Sequence, residues 1–149
     1  MKKVYPVFIA ESPKETQFNF LVYVPDMGIY TEAGTFMDAI EMARDAIGLY
    51  GITAEDEGLE LPSTSTSVEA TQKAEADTDI FNYSTGILTY VDVDFSEYRQ
   101  KIGTRNVRRT VTLPDWLNYE AKRSGIDISR VLQDALIKTL HLENRPYYN

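Results

Sequence analysis

The sequence predicts an α+β protein in two parts: a small antiparallel sheet with a helix on one face, then a strand followed by two short helices. Three observations carry that reading. Strand formers fill residues 3–11 and 18–24, and residues 91–95 alternate apolar with polar, the two-residue period of a sheet. Apolar residues at helical spacing mark residues 35–47 and 128–140. Charge also divides the chain. Residues 1–100 hold six Lys/Arg against eighteen Asp/Glu, net −12, whereas residues 101–149 hold nine against five, net +4.

The first strand, residues 3–11, contains Pro6, which cannot donate to a ladder and so predicts an edge position or a strand start. Residues 12–17 read as a turn, residues 18–24 as a second strand, and Pro25-Asp26-Met27-Gly28 as another turn. Residues 29–32 form a third short strand closed by Gly34. Thr35 then caps a helix, with Asp38 three residues on, and Phe36, Ile40, Ala43 and Ile47 share its apolar face. Gly48 and Gly51 are expected to loosen its end. Residues 52–79 are acidic and poor in large side chains, a crossover with room for a short helix near residues 68–76. Strand character returns over residues 80–95.

The last third has a different grammar. Val107, Val111 and Leu113 share one face of a strand and Arg108, Thr110 and Thr112 the other. Pro114 suits the first helical position, where a missing N–H costs nothing. Leu117 and Ala121 line the helix that follows, Ser124-Gly125 closes it, and Asp127 or Ser129 caps a second helix carrying Ile128, Leu132, Leu136 and Leu140 in one row. Under forty residues of this kind cannot bury a core alone, and a lone strand leaves its ladder groups unpaired. Two copies about a two-fold axis solve both problems. The divisions expected are residues 1–98, a linker over 99–106, residues 107–142, and a tail over 143–149.

Composition narrows the function. No apolar run approaches a membrane span, and the first residues lack the long apolar core of a signal peptide, so a cytoplasmic protein is expected. The absence of cysteine and a single histidine, His141, disfavour a soft metal site, and no metal or cofactor is expected.

Two resemblances follow from these residues. The order strand, Leu113-Pro114, helix, Gly125, capped helix resembles a ribbon-helix-helix DNA-binding domain, the class of β-ribbon repressors of the Arc and MetJ type. Residues 30–51, YTEAGTFMDAIEMARDAIGLYG, resemble the Gly-(Asp/Thr)-x-x-(Glu/Asp)-Ala-x-x-x-Ala signature of HicB-type antitoxins. Leu61-Pro62-Ser63 is similar to their Pro-Ser turn and Val91-Asp92-Val93-Asp94 to their closing strand. Together these cover nearly the whole chain in the family's order. The resemblance implies a truncated ribonuclease-H-like N-terminal domain that masks a small HicA toxin, a ribonuclease that cleaves messenger RNA. It also implies a C-terminal domain that represses its own operon as a homodimer, with a higher hetero-oligomer possible.

The expected DNA contacts are Arg108, Thr110 and Thr112, turned toward base edges in the major groove, with the backbone amides of Ser129 and Arg130 on phosphate. The expected toxin contacts are Asp26, Tyr30, Glu32, Asp92 and Asp94, in keeping with an acidic protein covering a basic RNA-binding surface. Two rival readings remain: a ribbon-helix-helix repressor gated by a small molecule, and a Mg²⁺-dependent nuclease using Asp26, Asp92 and Asp94. Against the nuclease, Asp92 and Asp94 alternate with Val91, Val93 and Phe95 as on any wet strand face, so no catalysis is expected.

Overall fold

Strand β1 (Lys2–Glu11) runs through the middle of an antiparallel sheet, flanked by β2 (Phe20–Val24) and, on the other side, β4 (Ile87–Asp94); β3 (Ile29–Ala33) completes the order β3-β2-β1-β4. The computed structural model describes residues 1–13, 18–77 and 82–144 in two compact units, Met1–Gly103 and Thr104–Asn149. Parts of the expected turn at residues 12–17, of the strand start near residue 80 and of the tail fall outside the described residues.

A proline in a central strand contradicts the edge position expected for β1, and the register explains it. The Phe95 N–H donates to the Met1 carbonyl at 3.0 Å, and Lys2 faces Asp94 through to Ile9 facing Ile87. The alternation of an antiparallel ladder then makes the odd residues of β1 the ones bonded to β4. Pro6 turns the other way, toward β2, whose pairing reaches only from Glu11 to Phe8. Its missing N–H therefore faces no strand. Residues 61–66 lie along that bare half-edge instead: Tyr5 Oη donates to the Pro62 carbonyl at 3.0 Å and Thr64 Oγ1 to the Val4 carbonyl at 2.7 Å.

The sheet is covered on both faces, not on one as expected. Tyr5, Val7, Ile9, Val22, Val24, Val91 and Val93 pack under α1 (Phe36–Asp56) through Ala39, Ala43 and Ile47. The alternate residues Phe8 and Tyr23 lie under α2 (Ser67–Ala76), whose Ala70 and Ala74 are fully buried. Alanine at both contact positions lets the helix backbone come close, so this weakly apolar helix still closes a core. Thr66 and Glu69 form a reciprocal capping box at its start.

Helix α1 begins as expected, with Thr35 Oγ1 accepting from the Asp38 N–H at 3.1 Å. It does not end at Gly48 and Gly51, however, but runs through both to Asp56. Residues 95–102 supply the reason. They form α3 (Phe95–Ile102), where an open linker was expected from residue 99, and α3 packs on α1 with the Tyr98 ring against Gly48 and the Phe95 ring against Gly51. Tyr98 Oη donates to Asp45 at 2.8 Å, and Arg99 reaches Glu55 at 2.8 Å and Asp56 at 2.9 Å.

The second unit holds α4 (Asp115–Arg123) and α5 (Ile128–Thr139). Pro114 is the N-cap of α4, one position before the first helical residue expected for it. Gly125 takes φ +66° at the turn, and the Asp127 side chain caps α5. Residues 103–114 form neither strand nor helix within the single chain. Among the described residues of this unit only Ala121 is buried, while Val107 is 85%, Trp116 67% and Leu140 59% exposed.

Candidate partner-binding surfaces

Asp26 sits in the turn between β2 and β3, and its side chain is shut off from solvent. Lys73 of α2 approaches it at 2.7 Å, the Ser65 N–H donates to it at 2.9 Å, and the Ser65 hydroxyl makes a further short hydrogen bond. Burial pushes this carboxyl up, but the hydrogen bonds from Lys73 and Ser65 outweigh it and hold the group below its ordinary value. Asp26 therefore locks α2 and residues 61–66 to the sheet. It is not available as a contact residue.

Tyr30 and Glu32 are exposed on β3. Tyr30 stacks on its cross-strand neighbour Tyr23 with centroids 4.8 Å apart, and Tyr83 leans on both at 5.0 and 5.4 Å. Asp77 accepts from Tyr23 Oη at 3.1 Å and makes a short hydrogen bond with Tyr30 Oη. Burial, then the bond to Asp77, pushes the Tyr23 hydroxyl up to about 12. The result is an aromatic platform edged by carboxylates, a surface suited to a cationic side chain. The Tyr23–Tyr30 pairing is readable from strand register, but nothing in the sequence pointed to Tyr83 or Asp77, which arrive from distant positions.

Asp92 and Asp94 are engaged within the chain. Asp92 pairs with Lys2 at 2.8 Å and Arg44 at 3.5 Å, and the Lys2 contact, foremost, holds its carboxyl low. Asp94 caps α3 through the N–H groups of Ser96 and Glu97 and lies 3.7 Å from the terminal amine. The three aspartates weighed for a metal thus serve separate structural partners. Among the described residues no three His, Asp or Glu side chains gather where a metal ion could bind.

In the second unit Arg108, Thr110 and Thr112 are exposed. Ser129 lies in the first turn of α5, and the Arg130 N–H already donates to Asp127 Oδ1 at 3.2 Å, so a phosphate there would have to displace a carboxylate. No described helix is long and apolar enough to cross a membrane.

The first unit is thus a sheet covered by helices and rich in acidic residues, and the second a helical pair in which, among the described residues, only Ala121 is buried. Over residues 5–135 the chain matches the HicB-like antitoxins of bacterial toxin–antitoxin systems, and it belongs to that family. Its fold is similar to a chain of the toxin–antitoxin complex from Streptococcus pneumoniae, at 22% identity and a TM-score of 0.58, with 93% of this chain and 99% of that one covered. The antitoxin HicB of Burkholderia pseudomallei aligns over 93% of this chain and 98% of its own, at 22% identity and a TM-score of 0.46. A chain of the HicA3 and HicB3 toxin–antitoxin complex aligns over 62% and 99%, at 26% identity and 0.44. No curated protein matches the chain.

Proposed function

We propose that this antitoxin neutralises a small basic HicA-type toxin, an mRNA-cleaving ribonuclease, through its first unit and represses its own operon through its second. Family membership over residues 5–135 and the net −12 charge of residues 1–100 support the first part, since a cationic RNA-binding surface is steered to an acidic cover. Tyr30 and Glu32, exposed on β3, are the foremost proposed toxin contacts; Asp92 and Asp94 stay partly exposed beside their internal pairs and are proposed with them, whereas the Asp26 side chain is enclosed and holds the fold.

The observation that carries the second part is the bare apolar face of α4 and α5, where Leu117, Ile128, Val131, Leu136 and Leu140 are all exposed in one chain. A second copy covers that face, and residues 107–113 of the two copies then pair as an antiparallel ribbon. Arg108, Thr110 and Thr112 face outward from the ribbon into the major groove. Sedimentation of the full chain, with operator DNA added, tests this. Leu136→Glu should yield a species of half the mass that no longer binds DNA. An unchanged mass and unchanged DNA binding would overturn the ribbon assignment.

A further inference from the structure

Tyr30 is held on several sides and is still 46% exposed. One face of its ring stacks on the buried ring of Tyr23, with 22° between the planes, and its hydroxyl is tied to Asp77 Oδ2. Tyr83 lies 5.4 Å from Tyr30 and 5.0 Å from Tyr23, so it stands beside the stack and not across the other face of Tyr30. A tyrosine on an edge strand ordinarily loses rotamer freedom when a partner binds it. Here the fold has fixed the ring beforehand, with one face open.

Two carboxylates flank that ring. Glu32, two residues along β3, stands on the same side of the strand. Burial first, then the charges of Asp77 and Glu32, push the Tyr83 hydroxyl up, which places both carboxylates beside the cluster. Among the described residues no cation pairs with either of them. Lys73, one turn before Asp77 on α2, is committed to Asp26, while Asp92, Asp94, Glu55 and Asp56 each have a cation of their own. Tyr23 and Tyr30 both donate to Asp77 Oδ2, which leaves Oδ1 for an incoming donor.

We infer that this cluster seats an arginine side chain of the toxin, flat on the open face of Tyr30 with its N–H edge directed at Asp77 and Glu32. The inference rests on the toxin contact proposed at Tyr30 and Glu32, names the group that makes it, and adds Asp77 and Tyr83 to the site. Two uncompensated charges select a cation over an apolar or acidic side chain. The open ring then separates the two kinds of cation. A lysine ammonium is a compact, strongly hydrated charge that meets either the ring or a carboxylate. A guanidinium is planar and carries five donors in that plane, so it stacks on the ring and pairs with the carboxylates at once.

Calorimetric titration of the full chain with the toxin of the same operon tests this, each toxin arginine being changed to lysine in turn so that charge is kept. One such change should weaken binding roughly tenfold, both to the parent and to Tyr30→Phe, which keeps the ring. The same change should leave binding to Tyr30→Leu nearly unaltered. Glu32→Gln, an exposed change of equal size, should shrink the penalty as well, which keeps the test open if Tyr30→Leu does not fold. If no arginine-to-lysine change weakens binding to the parent, while Tyr30→Leu and Glu32→Gln weaken binding of the unaltered toxin, the arginine is refuted and the contact at β3 survives. If those two variants bind the unaltered toxin as tightly as the parent does, the toxin sits elsewhere and both readings fall.

Discussion

The Tyr98 ring fills the space beside Gly48 that a side chain would need: a Cβ there would come within 2.5 Å of Tyr98 Cδ2, and Gly51 meets the Phe95 ring closer still. Alanine ordinarily favours a helix over glycine by about 1 kcal/mol. Here that gain is exceeded by the displacement of a buried ring, an overpacking cost of ~1–3 kcal/mol. Gly51→Ala should therefore destabilise the chain, with a lower urea midpoint. A variant as stable as the parent, or more so, would show that α3 does not seat on α1 in this way.

Asp26 gives the chain an acid-sensitive point. Its carboxyl is held below the ordinary 3.8, so its contribution is complete above that value and is lost as pH falls through the lower folded value. Asp26→Asn removes the charge facing Lys73 and Ser65 and should cost ~1–3 kcal/mol at neutral pH. The difference in stability between parent and variant should shrink on acidification. A gap that stays constant down to pH 2 would mean that Asp26 is not the titrating group.

Tyr23 acts at the alkaline end. Its hydroxyl stays protonated in the folded chain up to about 12 against an ordinary 10.0, so the folded state is favoured below pH 10 and loses that advantage as pH rises through the interval between the two. Spectrophotometric titration should find Tyr23→Phe missing the most alkaline phenolate transition. Loss of a transition near pH 10 instead would contradict the burial of this hydroxyl against Asp77.

On DNA, Arg108→Ala should weaken operator binding by ~1–3 kcal/mol if Arg108 reads a guanine edge, and should relax the preference at that one base. Competition with operators altered base by base measures this. A loss of equal size on every sequence would place Arg108 on the phosphate backbone.

For the toxin, Glu32→Lys should slow association and weaken neutralisation in an RNA-cleavage assay, more at low salt than at high, because it reverses a charge on the platform that Tyr30 exposes. Unaltered inhibition at low ionic strength would move the interface elsewhere on the first unit.

Much of the architecture was legible in local chemistry. Thr35 with Asp38 marked the start of α1, Gly125 the break between α4 and α5, and Asp127 or Ser129 the cap of α5, which the structure gives to Asp127, because each acts on neighbours in sequence. What failed was set by distant partners. Gly48 and Gly51 read as a helix end by propensity, yet they are the seats for the rings of Tyr98 and Phe95, which arrive 50 and 44 residues later. Pro6 read as an edge signal because its tolerance depends on where β2 stops. Asp26 looked like a turn residue free to bind, since nothing nearby announces Lys73 or Ser65. Tyr30 and Glu32 were named as contacts on a short third strand, but the aromatic neighbours of Tyr30 were not legible.

The clasp of α3 on α1 has a mechanical consequence. Tension applied to the chain at residue 104 enters the first unit through α3, and the contacts it strains first are Tyr98 on Gly48, Phe95 on Gly51 and Arg99 on its two carboxylates. The clasp works as a strain relief: a tug from the second unit must peel away one short helix before any load reaches the strands.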